Sequence, residues 1–296
     1  MSNVQRPMSE PNDSPMSNVQ RPMSGLQDRE LETELEANAT ADSAIHDSKA
    51  DVGHWTLDIG LPPADVGHWT LDVGLRVSDL RKAFFSPTGQ RVDVLCGVSF
   101  SARAGEAVAI MGASGAGKST LLHLLGGLEA ADHGSIEAGK FAIDREKPSA
   151  LARFRNQRVG FVFQFHHLMA DLTALENVSL PLRIKRVSPH EARLRAAKML
   201  EQVGLDSRVS GSLVSHLSGG EQQRVAVGRA LITGPAIVLA DEPTGNLDTA
   251  TGDEVARLLV SYARSAGSIL IIATHNRAVA EMCDRTLTLS EGRLRQ

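Results

Sequence analysis

GASGAGKST, residues 112–120, joins an apolar run, EAVAIM (106–111), to a helical run, KSTLLHLLGGL (118–128). G-x-x-x-x-G-K-[ST] in a strand–loop–helix setting is the pattern of a phosphate-binding loop. The composition has a physical reason. Gly115 and Gly117 permit backbone shapes that turn several N–H groups onto one anion. The start of the following helix adds about half a positive charge. Lys118 is long enough to reach the β- and γ-phosphates of a nucleotide, and Ser119 offers a hydroxyl to Mg²⁺. The candidate nucleotide-binding set here is Gly112, Ser114, Gly115, Ala116, Gly117, Lys118, Ser119 and Thr120.

Outward from this loop the pattern is that of an α/β domain. EAVAIMG, AIVLADEP (236–243) and SILIIATH (268–275) are short, continuously apolar and rich in β-branched residues. Such runs read as strands buried on both faces of a mostly parallel sheet. LRVSDLRKAFF (75–85) and VDVLCGVSFSA (92–102) alternate, as antiparallel strands do. In DEVARLLVSYARSAG (253–267), Val255, Leu258, Leu259 and Tyr262 share a helical face, with Gly267 as the stop. SPHEARLRAAKMLEQVGL (188–205) opens with Ser188 as cap, Pro189 first and Glu191 third, the signature of a capping box. A helical insertion is expected over about 165–225, inside a domain spanning 75–296.

VLADEP (238–243) carries the second half of the chemistry. Asp241 ends a buried strand, where a carboxylate needs a strong partner. Mg²⁺, through water, supplies one. Glu242 follows, placed to act as general base on an attacking water. The structural alternative is that these acids cap the next helix.

LSGGEQQR (217–224) narrows the class. Together with the phosphate loop, VLADEP, GNLD (245–248) and IIATH (271–275), it resembles the ATP-binding-cassette (ABC) ATPase family, over essentially all of 75–296. The resemblance implies a P-loop cassette with a mostly parallel core sheet, an antiparallel β subdomain and a helical subdomain. Ser218 reads independently as a helix cap with Glu221 three residues on, leaving the N–H groups of Gly219 and Gly220 at a positive helix end. In the family, two cassettes pack head to tail, and each ATP lies between one copy's phosphate loop and the other's signature. Family roles then fall on matching positions. Phe84 resembles the aromatic that stacks on adenine, with Phe85 its rival. Gln164 matches the glutamine that senses Mg²⁺ and water, Asp248 the aspartate that crosses the dimer, and His275 the histidine that contacts the γ-phosphate. Asn276 stands where an aspartate is often found. The implied catalytic set is Glu242, His275 and Gln164, with Ser119, Gln164 and Asp241 around Mg²⁺.

RNQRVGFVFQFHHLMADLTALENVSLPL (155–182) and STLLHLLGGLE (119–129) are similar to the ATPase of lipoprotein-releasing (Lol-type) systems. That resemblance implies a homodimer driving two integral inner-membrane subunits, at the cytoplasmic face of a bacterial inner membrane. Macrolide or peptide exporters and regulatory cell-division cassettes are the competing readings. His166 and His167 invite a metal or acid–base role, but further ligands at recognisable spacing are missing and Glu242 and His275 already fill the catalytic roles. Contact with a partner is the reading adopted, with Leu168, Met169 and Leu172 supplying apolar area. His123 reads as a packed structural histidine, and His216 as part of the signature loop's frame.

The bulk properties agree. Residues 1–74 hold 13 acidic and 4 basic side chains, leaving 22 acidic and 27 basic for 75–296. The small positive balance of the latter suits a polyanionic ligand and is no sign of nucleic-acid binding. MSNVQRPMS occurs at 1–9 and 16–24, and ADVGHWTLDIGL at 50–61 returns as ADVGHWTLDVGL at 64–75. Two copies are too few for a stacked repeat fold, so a disordered acidic extension is expected, with a short docking motif in the strand-like HWTLDVGL (68–75) as the alternative. The first residues lack the apolar core of a signal peptide, and no run of about 18 apolar residues occurs, so membrane association is expected through partners alone. Cys96 and Cys283 form no disulfide or zinc spacing, as in a reducing compartment.

Overall fold

The computed structural model describes residues 74–295; most of the acidic extension, including its first three repeat copies and both tryptophans, lies outside the described residues. In chain order the strands are β1 (Leu75–Phe85), β2 (Arg91–Ala102), β3 (Ala107–Met111), β4 (His133–Ala138), β5 (Phe141–Ala142), β6 (Val159–Val162), β7 (Ile237–Asp241), β8 (Ile269–Thr274), β9 (Arg285–Ser290) and β10 (Arg293–Arg295). The helices are α1 (Lys118–Leu125), α2 (Pro148–Arg158), α3 (Ala174–Ile184), α4 (Pro189–Gln202), α5 (Ser207–Ser210), α6 (Gly219–Leu231), α7 (Thr249–Ala266) and α8 (Arg277–Glu281).

The strands make two sheets. One has the order β2-β1-β4-β5 and is antiparallel throughout. The other has the order β10-β9-β3-β8-β7-β6 and is parallel except where β10 turns back along β9. The continuous apolar runs explain this second sheet. Successive residues of β7 and β8 enter two different cores: Val238, Ala240, Leu270 and Ile272 join the one built with α3, α4 and α7, while Ile237, Leu239, Ile269 and Ile271 join the one built with α1 and the antiparallel sheet. A strand with both faces covered needs an apolar residue at every position. Each such Leu or Ile contributes about 1.5–3 kcal/mol on burial.

Two local expectations are corrected. α1 ends at Leu125 rather than running through the GG pair, because Gly126 caps it and Gly127 turns left-handed at φ 62°. A Cβ on Gly126 would run into the Phe161 ring and displace it, so glycine lets this helix end meet the neighbouring strand as it stands. At α4, Ser188 Oγ accepts from Glu191 N at 3.2 Å and Pro189 opens the helix, but the reciprocal half of the box is missing. The Glu191 carboxylate pairs with Arg195 one turn on.

Candidate functional site

Four neighbouring strands of the parallel sheet, β3, β8, β7 and β6, end on one edge. The segments leaving those ends carry, in the same order, the phosphate loop, His275, the Asp241–Glu242 pair and Gln164. Ligands of open α/β sheets bind outside the carboxyl ends of the strands for this reason: loops leave there and helices begin there.

The phosphate loop is shaped by its glycines. A Cβ at Gly112 would lie 2.5 Å from Leu289 O, and one at Gly117 2.9 Å from Val94 Cγ1. Gly117 adopts φ 98° as the cap of α1, and Gly115 φ 77° with open space around it. Ala116 N donates to Ala113 O at 3.2 Å and closes the turn. Ser114 and Ser119 are exposed and Thr120 is half-buried. Lys118 is buried; its Nζ donates to Gly112 O at 2.9 Å and Ala113 O at 3.2 Å. It also stands 3.5 Å from Glu242 Oε1.

Glu242 sits at the centre of the group. Its Oε2 lies 3.0 Å from His275 Nδ1 and accepts from His275 N at 3.4 Å. Its backbone is left-handed, φ 45°, an uncommon conformation for a residue with a Cβ and one concentrated at functional sites. Gly245 N donates to Glu242 O at 3.0 Å, and a Cβ on Gly245 would lie 3.3 Å from Gln164 Nε2. Asn246 Nδ2 donates to Gln164 O at 3.0 Å. Asp241 and Glu242 do not cap the next helix. Asp248 does, accepting from Thr251 N at 3.1 Å; hydrogen bonds from the Thr251 side chain and then its N–H hold the carboxyl below the usual range. Asn276 caps α8, its Oδ1 accepting from Ala278 N at 2.9 Å.

A divalent cation fits this group on one observation. Asp241 Oδ1 is buried with no hydrogen-bond partner. A buried carboxylate oxygen left this way is costly unless a cation or its water fills the place. Among the described residues no three His, Cys, Asp or Glu side chains cluster as a metal cage. Mg²⁺ at phosphate sites takes one or two protein ligands beside water and phosphate, so the donor set suits it.

The signature lies at the start of α6. Ser218 and Glu221 form the full capping box: Glu221 N donates to Ser218 Oγ at 3.3 Å, and Ser218 N and Oγ both donate to Glu221 Oε2 at 2.8 Å. These bonds hold the Glu221 carboxyl below its usual range. Ser218 and Gly219 are exposed, and a Cβ on Gly220 would meet Thr251 Cγ2 at 3.1 Å. The loop before the cap is stapled by Gln222, whose Nε2 donates to Val214 O at 3.1 Å and Leu217 O at 3.0 Å. His216 is exposed in a short 3-10 turn just before it.

The segment after Gln164 is gripped by its main chain. The Arg229 guanidinium, from α6, donates to His166 O and His167 O at 2.7 Å each. Asn177, fully buried in α3, accepts from Met169 N at 2.8 Å and donates to Met169 O, Leu172 O and Thr173 O. His167 is left-handed at φ 48°, its ring edge-on to that of Phe163 with the centroids 5.1 Å apart. Burial holds His166 below the usual histidine range, with Gln222 bonding against that trend. His123 is half-buried, its ring 6.4 Å from Phe163. Leu168 does not supply exposed apolar area as expected: it packs on the core. The exposed apolar groups here are Phe165, at 70%, and Met169, at 59%. Phe84 is 41% exposed and Phe85 74%.

Comparison with known proteins agrees with the geometry. The family model described as ABC transporter matches residues 95–245. The lipoprotein-releasing system ATP-binding protein LolD of Geobacter metallireducens is 48% identical over 218 residues, covering 74% of this chain and 96% of that protein. LolD of Legionella pneumophila is 47% identical over 215 residues, covering 73% and 94%. Among solved structures, the ATP-binding cassette MJ0796, dimeric in a post-hydrolysis state with ADP and Pi, superposes with a TM-score of 0.71 at 35% identity, over 75% of this chain and 97% of that one. A second dimeric structure of MJ0796, a bacterial ABC transporter cassette, gives 0.71 at 36% identity over the same shares.

Proposed function

The chain belongs to the ABC transporter ATP-binding family, and from that premise we propose that it is the ATP-hydrolysing subunit of a complex that releases lipoproteins from a bacterial inner membrane. The observation that carries the ATPase reading is the convergence of Lys118, Glu242, His275 and Gln164 at the carboxyl ends of four adjacent strands. Resemblance to LolD carries the cargo.

The roles follow from placement. The backbone N–H groups of residues 114–117 and the start of α1 hold the β- and γ-phosphates, with Lys118 as their point charge. Ser119, Gln164 and, through water, Asp241 would hold Mg²⁺, which when bound neutralises phosphate charge. Glu242 takes a proton from the attacking water as its oxygen bonds to the γ-phosphorus; the bond to the bridging oxygen breaks, giving ADP and phosphate. His275, fixed by Glu242, contacts the γ-phosphate. Phe84 is the platform for adenine. Ser218, Gly219, Gly220 and Asp248 face a second copy, so that ATP lies between two chains and each copy completes the other's site. The dimeric MJ0796 structures support this arrangement. The cassette spans 75–296, with the helical insertion over about 165–225.

Among the described residues no helix is long and apolar enough to cross a membrane. The complex's two integral subunits hold the cassette at the cytoplasmic face of the inner membrane. They engage the 165–169 segment, where Phe165 and Met169 present apolar area beside the histidine pair.

Two experiments test the reading. Reconstitution of the chain with its co-purifying membrane subunits in liposomes loaded with a lipoprotein is expected to give ATP-dependent release. An active ATPase that releases none would refute the cargo assignment. Replacing His166 and His167 together with alanine is expected to keep the isolated cassette's ATPase rate within about twofold, since neither group touches the reacting atoms, while ATPase stimulation by the membrane subunits drops about tenfold, the equivalent of one lost interface contact of ~1.4 kcal/mol. Collapse of the isolated rate would sink the partner-contact role.

A further inference from the structure

Lys82 is an unusual residue to find inside an antiparallel sheet. It lies on β1 with 8% of its surface exposed, between exposed Arg81 and half-buried Ala83. Three acceptors hold its ammonium: Glu129 Oε1 at 2.7 Å, Ala130 O at 2.8 Å and Asp132 Oδ1 at 3.5 Å. Asp132 is itself fixed, its Oδ2 accepting from Ala83 N at 2.7 Å. Burial opposes the charge on Lys82, yet Glu129 and Asp132 together keep its pKa above the usual lysine range. Lys82 is therefore a fixed cation.

That cation stands 5.1 Å from the centroid of the Phe84 ring. Residues two apart on a strand share a face, so the contact follows from β1 itself. The ring's position relative to the phosphate loop follows from the neighbouring strand. Lys82 pairs with Leu95 but Ala83 with Asp93, so Val94 is an extra, bulged residue. Bulges re-aim side chains beside active sites. Val94 is the residue that a Cβ on Gly117 would strike, and Phe84 pairs with Val92, two positions away. Phe84 thus pairs with the strand segment that packs on the phosphate loop, with one ring face covered by Lys82 and 41% of its surface open. Phe85 points to the other face of the strand, 74% exposed.

We propose that Lys82 is a positioning residue for base recognition: held by Glu129, Ala130 and Asp132, it backs Phe84 and fixes the ring with its free face towards adenine. The proposal rests on the reading of Phe84 as the adenine platform. Of the two phenylalanines, Phe84 is the one with the cation behind it.

The test is equilibrium binding of ADP, and separately of inorganic pyrophosphate, to the full chain with Mg²⁺, by displacement of a fluorescent nucleotide. Pyrophosphate lacks the base. Phe84→Ala is expected to weaken ADP binding about tenfold and Lys82→Met about fivefold, in line with stacking and cation–π contacts at half-exposed sites. The double variant should bind ADP no worse than Phe84→Ala alone, and none should change pyrophosphate affinity. Glu129→Gln, which loosens the ammonium from an exposed position, should move ADP binding in the same direction and leave pyrophosphate unmoved. Equal losses for ADP and pyrophosphate in Lys82→Met would overturn the proposal, because the lysine would then be serving the phosphates or the fold. A Lys82→Met effect that persists undiminished in the Phe84→Ala background would overturn it too. If Phe84→Ala leaves ADP binding intact while Phe85→Ala weakens it, the platform reading fails and takes the proposal with it.

Discussion

Glu242→Gln binds ATP, dimerises on it and turns it over about a thousandfold more slowly than the unaltered chain, the scale of losing a well-placed general base. The substitution keeps the shape of the side chain and its capacity to accept from His275 N. It removes the ability to take a proton. Glu242 is strained into a left-handed backbone, is nearly buried at 12% side-chain exposure, and lies between Lys118 and His275. The other carboxylate of that group, Asp241, is the one proposed for the cation, its Oδ1 being buried without a hydrogen-bond partner. Removal of the negative charge also releases Lys118 from its 3.5 Å neighbour, so phosphate binding should tighten rather than weaken. Single-turnover hydrolysis and gel filtration in ATP check both halves. A turnover within about threefold of the unaltered rate would remove Glu242 from the base role, since that role is worth at least a hundredfold.

Lys118→Ala loses ATP affinity by at least about a hundredfold, or ~2.7 kcal/mol, the range of one or two charge-assisted hydrogen bonds. The effect arises twice over. The phosphates lose their buried cation, and Gly112 O and Ala113 O lose the donor that shapes the loop around them. Equilibrium ATP binding measures the loss, and a thermal melt shows whether the variant is folded. Unchanged affinity in a folded variant would contradict the phosphate-loop reading.

Much of this arrangement was legible in the sequence. β3, β7 and β8 declare themselves because a strand covered on both faces must be apolar at every position. The residues at their ends are visible as motifs because each needs a fixed spacing from its strand. Less legible was β4, whose HGSIEA is half-exposed and interrupted by Gly134. α3 hid because its buried face carries Asn177 and Ser179 and its body Pro181, none of which fits an apolar period. The contacts that set the loops were invisible for another reason. Arg229 meets His167 across 62 residues, Asn246 meets Gln164 across 82, and Lys82 meets Glu129 across 47. No local pattern marks a side chain whose partner lies in a distant loop. Leu168 shows the same limit: beside Met169 in sequence, it faces inward while Met169 faces out.

The grip of Arg229 and Asn177 has one more consequence. Arg229 holds main-chain oxygens, and Asn177 main-chain oxygens and one nitrogen, of 166–173, and neither bonds to a side chain displayed there. The path of this segment therefore owes nothing to Phe165 and Met169, whose side chains stand exposed. Substitutions at Phe165 and Met169 are expected to change what the segment displays while the main chain beneath keeps its course. A swap of these side chains alone, on an unaltered Arg229 and Asn177, is the smallest graft by which one such engine could be handed to another machine.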